Sequence, residues 1–589
     1  MTALTNATIS AHNMTVMTFL AGTYPAALFF VGFAGLGCHL IFNRFEPKSL
    51  PTLATLLVLP PLVLSPLLDP HAQAKLTAIS ISLLTYIATL AVSVVIYRLS
   101  PFHPLASYPG PILCKISKLR WAWIAMGGKQ HLYYQELHRK YGSVVRIGNT
   151  ESFDELFDSH CLPGPNELSF CDSKAISPMM GTHGMPKGPW WDGRMPENKT
   201  VRSILSLRNP EEHSRRRRIW NRAFSASALK EYDVVVKNRL VQFVEIINDN
   251  AGQSIDLTQW MGWFMYDVMN DIVFGGGVEL MRDGDKDGLY TMFEEFLPMA
   301  LLMSHVPWIG ELTTWLPGFA KDVKTFRSYA VKCAIARKMH GSPRKDLFYH
   351  LIDEAGLERE PPSLAQVVSD SSPAIVAGAE TTSTAICNLF WLLLCNPIAY
   401  SRLQVEIDSL GANALDSESQ KHLTYLNACI NETLRLFPAV LSGSQRAPLI
   451  GSGGKLIGPY FIPEGTSAVV PSYSLQRDPR YFSPSPDAFL PERWLSVNDL
   501  SALKPAVFKS TDDFIHDLSA FIPFSYGPGN CVGKHLAYQE MRMIVCTLLT
   551  KFQMRFEDGF CAQSWGNNLR DYYILKKGRL PVVFLPRSR

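Results

Sequence analysis

Two long uncharged runs dominate the first hundred positions. Met14 to Phe42 is 29 residues without a formal charge, interrupted by Pro25 and several glycines, and Leu76 to Tyr97 is another 22, bracketed by Lys75 and Arg98. Each exceeds the ~20 residues that a helix needs to cross a bilayer. Between them Ser49 to Leu68 is equally uncharged but carries Pro51, Pro60, Pro61 and Pro66. Prolines remove helical donors, so this piece reads either as a broken span or as an interfacial hairpin. The expectation is a membrane anchor over 1–100 with two or three transmembrane segments, at about 14–42, 49–68 and 76–97. Three spans would put Arg44, Lys48 and Arg98 on the cytosolic side and the sequons at Asn6 and Asn13 in the lumen, where glycosylation is possible. Two spans would leave the N-terminus cytosolic.

After Arg98 the pattern changes. Ser100-Pro101-Phe102-His103-Pro104 and Tyr108-Pro109-Gly110-Pro111 predict a stiff, non-helical hinge over 101–111. Beyond it, amphipathic helical runs fall near 225–250, 259–275, 364–395, 401–410 and 422–436, with loops rich in Gly and Pro between them. Tyr141-Gly142-Ser143-Val144-Val145-Arg146-Ile147-Gly148 reads as a turn and a strand. The expected fold is mainly α with small β-sheets, as one large domain over 112–589 preceded by N-terminal transmembrane helices.

Composition sharpens this division. The chain has 589 residues, 47% hydrophobic and 18% charged, with a formal net charge of +4. Its first hundred residues hold only six charged side chains, Arg44, Glu46, Lys48, Asp69, Lys75 and Arg98. The body is near neutral, which argues against a nucleic-acid partner. The 11 cysteines are odd in number and unpaired in spacing, so neither a disulfide framework nor a zinc ribbon is expected.

One cysteine stands apart. Cys531 lies in Phe524-Ser525-Tyr526-Gly527-Pro528-Gly529-Asn530-Cys531-Val532-Gly533, just before an apolar helical run from Leu536 to Leu549. Glycines expose backbone N–H groups toward the sulfur and the following helix start favours negative charge, both of which favour a thiolate. A soft thiolate in an apolar loop suits an axial ligand for haem iron; the plain alternative is a buried cysteine ahead of a helix.

Phe524-x-x-Gly527-x-x-x-Cys531-x-Gly533 resembles the haem-binding loop of the cytochrome P-450 monooxygenases. Three further motifs occur in that family's order. In Ala377-Gly378-Ala379-Glu380-Thr381-Thr382 a glycine beside paired threonines favours a local break in a long helix. The resemblance implies that Glu380 and Thr381 relay protons during dioxygen activation. Glu432-Thr433-Leu434-Arg435 alone is an i, i+3 ion pair of little weight. With Arg493 of Pro491-Glu492-Arg493-Trp494, the resemblance makes Glu432 and Arg435 a structural network behind the haem.

His213-Ser214-Arg215-Arg216-Arg217-Arg218 reads first as a basic stripe, either a solvated face or a nucleic-acid patch. By resemblance, His213 and Arg217 take the places of a Trp and an Arg that hold haem propionates. Arg215, Arg216 and Arg218 are expected to face solvent or an acidic electron donor. Arg446 is a further propionate candidate. The family usually has Arg or His two residues before the cysteine, where this chain has Gly529, so one donor is missing.

No Gly-x-Gly-x-x-Gly follows a strand, so no nicotinamide or flavin site is expected in the chain. The resemblance implies haem b as cofactor, NADPH only indirectly through a flavoprotein reductase, and dioxygen, membrane lipid and an apolar small molecule as the other partners. It implies a monooxygenase of specialised metabolism, of the fungal kind, in the endoplasmic reticulum membrane with the catalytic domain in the cytosol. A terpenoid is the expected substrate class. A haem-thiolate isomerase or dehydratase that needs no dioxygen, and a non-catalytic haem-binding membrane protein, are the alternatives.

Overall fold

The computed structural model of the chain describes residues 23–44, 50–148, 166–193, 201–306, 309–310, 321–496 and 514–587. Both sequons, Asn6 and Asn13, lie outside these, as do the first residues of the 14–42 run and residues 45–49.

Three apolar helices open the described chain: α1 (Tyr24–Arg44), α2 (Leu50–Leu64, continued as a 3₁₀ turn over Ser65–His71) and α3 (Lys75–Leu99). All three segments, Tyr24–Asn43, Pro51–His71 and Lys75–Leu99, are long and apolar enough to cross a membrane. The middle piece is helical through its prolines, and α3 supplies a donor that Pro60 removes. Pro60 takes away the N–H that would serve the Leu56 carbonyl, and the Tyr86 hydroxyl donates to that carbonyl at 2.8 Å. The Ser82 hydroxyl donates to the Pro61 carbonyl at 2.7 Å. In a low-dielectric medium a bare carbonyl costs several kcal/mol, so these side chains permit a span that sequence alone leaves in doubt. Gly35 of α1 sits where a Cβ would lie 2.9 Å from the Tyr86 carbonyl, so the helices approach backbone to backbone.

Residues 101–111 form turns laid on the body. The Arg146 N–H donates to the Pro109 carbonyl at 2.8 Å, and the Tyr108 hydroxyl to the Phe461 carbonyl at 3.0 Å. A Cβ on Gly110 would collide with the Arg146 carbonyl. Short helices follow (Ile112–Ile116 and Lys118–Met126), exposing Ile112, Leu113, Leu119 and Trp123.

The body is helical with small sheets. Strands β1 (Val144–Gly148) and β2 (Glu167–Phe170) pair antiparallel, and β6 (Ser467–Val469) adds parallel to β2. Strand β3 (Ser254–Asp256) and β9 (Phe552–Phe556) flank β12 (Pro581–Pro586), both antiparallel. Two-stranded pairs complete the set: β4 (Lys455–Ile457) with β5 (Tyr460–Ile462), β7 (Phe482–Ser483) with β8 (Ile515–His516), and β10 (Arg570–Tyr572) with β11 (Ile574–Lys576).

The helices that position the site are α4 (Pro210–Ala223), α5 (Leu257–Phe274), α6 (Leu289–His305), α7 (Leu364–Cys395), α8 (Thr424–Leu436) and α9 (Lys534–Lys551). Helix α5 ends where the glycine run begins, with Gly275 in the left-handed region at φ 75° and its N–H on the Asn270 and Asp271 carbonyls. Helix α7 starts in a capping box, Ser363 with Gln366, and runs through the middle of the largest core cluster.

One expectation fails here. Helix α7 is continuous through Ala377–Thr382, without the break that the glycine and paired threonines suggest. Gly378 is pressed against Met269 of α5, where a Cβ would collide with the thioether. The Thr381 hydroxyl donates to the Ala377 carbonyl at 2.5 Å, as a second bond rather than a replacement. The glycine here serves close helix packing.

Candidate active site

The Cys531 loop owes its shape to local backbone demands. Ser525 and Gly527 both have positive φ, 61° and 67°, and a Cβ on Gly527 would collide with the Met180 carbonyl, so only glycine fits there. The Cys531 N–H donates to the Phe524 carbonyl at 2.9 Å, and the Asn530 N–H to the Gly527 carbonyl at 3.0 Å. Helix α9 begins three residues on, at Lys534. A Cβ on Gly533 would stand 3.9 Å from the Cys531 Sγ and 3.6 Å from the Phe224 ring, so the glycine leaves room beside the sulfur.

Electrostatics separates Cys531 from the other buried thiols. Burial leaves it raised overall, with Glu540 adding to the rise, while the Gly533 N–H, Arg217 and Lys534 pull it partway down. Cys171 and Cys546 are pushed up to about 12 by burial and then by carboxylates. Cys429 is raised further, by burial and then by Glu492 and Glu406. Among these, Cys531 has N–H and cationic neighbours suited to a thiolate, and although it lies inside the domain its side chain is accessible.

Around this loop four basic groups converge. Arg217 of α4 donates to the Asn530 carbonyl at 2.6 Å and to its Oδ1 at 2.8 Å, clamping the loop to α4. Burial lowers His213 to about 4, with Lys187, Arg217 and Arg446 adding to the effect. Arg446 is buried with its Nε unpartnered, and its Nη2 lies 3.0 Å from where a Gly529 Cβ would be. Lys187, whose backbone bridges to Arg446, is lowered to about 7 by burial and then by Arg446 and Arg217. Sequence reasoning missed Lys187, an ordinary lysine in Pro186-Lys187-Gly188. The nearby carboxylate of Asp370 is already engaged by the Ile204 N–H at 2.6 Å and by Arg216 at 3.5 Å. Two guanidinium groups, one with an orphaned buried N–H, together with the Lys187 amine and the His213 imidazole, offer donors that fit a bound dianion, and the two propionates of a haem are one.

Arg216 corrects an expectation. It is buried, not solvent-facing: it donates to Glu212 at 3.0 Å and to the Arg202 carbonyl at 2.6 Å. It shares the helix face of Ile219, Trp220 and Ala223, at 3.6-residue spacing, whereas Arg218 is exposed.

Glu432, Arg435 and Arg493 do come together. Glu432 accepts from Arg435 Nε and Nη2, both at 2.8 Å, from Arg493 Nε and the Leu490 N–H at 3.0 Å, and from Trp494 Nε1 at 2.9 Å. The ion-pairing side chains are wholly buried. Gln476 links this network to the Cys531 loop: its Nε2 donates to the Leu434 and Arg435 carbonyls, and its Oε1 accepts from the Ile522 N–H at 2.9 Å.

On α7 the two proton-relay candidates face different surroundings. Thr381 is partly accessible. Glu380 is buried and paired with Lys577 at 3.0 Å, with its Oε1 unpartnered. The next residue, Thr382, donates to Glu540 of α9 at 3.0 Å, tying α7 to the helix that follows the cysteine. Burial raises Glu540 to about 8, only partly offset by Thr382. Its folded value thus lies above the ordinary one, so its contribution to stability is fully present below about pH 4 and is lost as pH rises to about 8. Glu540→Gln keeps the acceptor for Thr382 and is expected to flatten this dependence. Thermal unfolding at pH 5 and pH 9 should show the variant gaining on the parent at the higher pH, by about 1.4 kcal/mol for each factor of ten by which folding tightens the hold of Glu540 on its proton.

The family model described as Cytochrome P450 matches residues 169–563. Cytochrome P450 67 of Uromyces fabae is 31% identical over 571 residues, covering 94% of this chain and 98% of that protein. Cytochrome P450 monooxygenase nodW of Hypoxylon pulicicidum is 31% identical over 509 residues (86% and 87%), and FCK2 of Fusarium pseudograminearum 31% over 522 (87% and 88%).

Proposed function

This chain belongs to the cytochrome P450 family, and from that premise we propose that it hydroxylates or epoxidises an apolar small molecule, a terpenoid scaffold being the class to try first. It is a haem-thiolate monooxygenase of the fungal kind. The observation that carries the reading is an accessible Cys531 with an N–H and two cationic neighbours, beside a cluster of basic donors that matches two propionates.

Bound haem supplies dioxygen activation, driven by electrons that we assign to an NADPH-dependent flavoprotein reductase. The chain's own residues divide the remaining work. Cys531 would supply the sulfur that holds the iron; Phe524, Gly527 and Gly533 shape its loop. His213, Arg217, Arg446 and Lys187 would hold the propionates. Thr381 Oγ1 and the Glu380 carboxyl would hold and move protons. We place the catalytic domain on the cytosolic face of the endoplasmic reticulum. What supports contact of the body with the membrane surface is that Phe102, Ile112, Leu113, Leu119 and Trp123, soon after α3, are exposed apolar side chains.

The test is the absorption spectrum of the purified chain, reduced and exposed to carbon monoxide. A Soret band with the thiolate red shift is expected; a band without it overturns the reading.

The space over Gly529 gives a second prediction. Arg446→Ala is expected to speed haem loss to apomyoglobin by about tenfold or more, the loss of one charge-assisted contact of ~1.5–3 kcal/mol. Adding Gly529→Arg should recover part of that loss, because the new side chain enters the place that the Arg446 guanidinium leaves. Haem loss from Arg446→Ala no faster than from the parent would remove Arg446 from the propionate set.

A further inference from the structure

The β4–β5 hairpin departs from the usual pattern of an antiparallel pair at a surface, apolar inward and polar outward. Ile457 and Ile462 are buried against the body, as a period of two requires. Leu456 and Phe461, directly opposite each other across the pair, hold the outward positions. Polar residues belong there, yet Leu456 is 62% exposed and Phe461 53%. The loop that leads into β4 adds Leu449 and Ile450, both about as exposed. From Leu449 to Pro463 the one charged residue is Lys455, and its ammonium donates to the His183 carbonyl at 2.7 Å. Four large apolar side chains on one short stretch exceed the scattered single ones that any surface carries.

The hinge that leaves the anchor is fastened to this hairpin. The Tyr108 hydroxyl donates to the Phe461 carbonyl at 3.0 Å, and its ring lies 6.1 Å from that of Tyr460. Leu105 and Tyr108 share one buried cluster with Ile457 and Ile462. The next residue, Pro109, accepts from the Arg146 N–H at 2.8 Å, and the Arg146 guanidinium donates to the Arg98 carbonyl, in the last turn of α3, at 3.3 Å. Arg98 itself donates to the Ile116 carbonyl, shortly before the exposed Leu119 and Trp123. Hydrogen bonds therefore run from the end of the anchor through the hinge to the hairpin. They hold it near the level at which α3 ends.

We propose that the outward face of the β4–β5 hairpin, Leu456 and Phe461 with Leu449 and Ile450, is a second lipid-contacting surface that enters the bilayer holding α1–α3. This rests on the reading of those helices as a membrane anchor. A lipid surface is the occupant because the face is joined by hydrogen bonds to the end of the anchor, and because its one charge is taken up by the body. The residues just after α3 give one point of contact and the hairpin a second. Two points fix the tilt of the body as well as its height above the membrane.

The test uses the full chain in nanodiscs of phosphatidylcholine, with a photoreactive benzophenone amino acid in place of Leu456, Phe461 or Ile398. Ile398 is 86% exposed on the Pro397–Ser409 helix, which packs on α8 and α9, and serves as an apolar side chain that faces water. Illumination should give a lipid adduct, read as a mass shift, at 456 and 461 and none at 398. Leu449→Glu/Leu456→Glu should abolish the adduct at 461, and Leu456→Met should keep it. These side chains face outward, so the replacements leave the core intact. Adducts at 456 and 461 no stronger than at 398, an adduct at 461 that survives both glutamates, or a cross-link to a second chain in place of lipid overturns the proposal. Alkaline carbonate extraction separates it from the anchor reading. Release of the parent from membranes overturns both, whereas retention without an adduct at 456 or 461 overturns the hairpin surface alone.

Discussion

Cys531→Ala is expected to give a folded chain that has lost the red-shifted carbon monoxide band and all reductase-driven oxygen chemistry. Folding should survive because the backbone, not the sulfur, holds the loop. The Cys531 N–H on Phe524, the Asn530 N–H on Gly527, the Arg217 clamp on Asn530 and the Gln476 bond to the Ile522 N–H all remain. Alanine is compatible with the same conformation, and it removes only the thiol. Function should not survive because the other buried cysteines among the described residues lie outside this loop. Cys171, Cys429 and Cys546 are raised by burial and then by carboxylates, which outweigh the single arginine near each. The measurement is the reduced carbon monoxide spectrum alongside a thermal unfolding curve. An intact fold with an unshifted or missing band is the expected result, and a retained red shift would mean that another residue provides the sulfur.

The parts of the site that lie close in sequence were legible there. The cysteine loop reads from its own glycines because the positive φ at 527 and the close approach to Met180 are local demands. Glu432 and Arg435 read from their i, i+3 spacing, and the helical runs near 259–275 and 364–395 read from their apolar period. What stayed hidden depends on distant partners. Lys577 meets Glu380 across 197 positions, and nothing in Leu575-Lys576-Lys577-Gly578 distinguishes one lysine from the other. Lys187 acquires its meaning only when a bridge to Arg446 brings two cations together. Arg216 could have been found: it keeps the period of Ile219, Trp220 and Ala223, but four consecutive arginines mask it. The expected break in α7 failed because the role of Gly378 is set by Met269, over a hundred residues earlier.

Glu432→Ala should have the largest effect on stability, and the reason is the company that Glu432 keeps. It is one carboxylate between two guanidinium groups, all three wholly buried, and burial alone would raise it; Arg435 and Arg493 hold it below the usual carboxylate range. Removing the carboxylate leaves two positive charges in the interior without a counter-charge, and breaking a buried pair in this way costs about 3–5 kcal/mol. Whole domains are stable by only ~5–15 kcal/mol, so the variant is expected to be recovered mostly unfolded or aggregated. The damage also propagates toward the haem loop. Arg435 donates to the Gln476, Pro486 and Ala488 carbonyls, and Gln476 in turn holds the Ile522 N–H at the start of that loop. Arg435→Lys, which keeps the charge but loses the planar fork, should be milder in unfolding yet still loosen the loop, because a single ammonium cannot reach Glu432 and three carbonyls together. Comparing soluble yield and unfolding temperature across Glu432→Ala, Glu432→Gln and Arg435→Lys separates charge from geometry. A Glu432→Ala chain as stable as the parent would mean that the network contributes nothing to the fold.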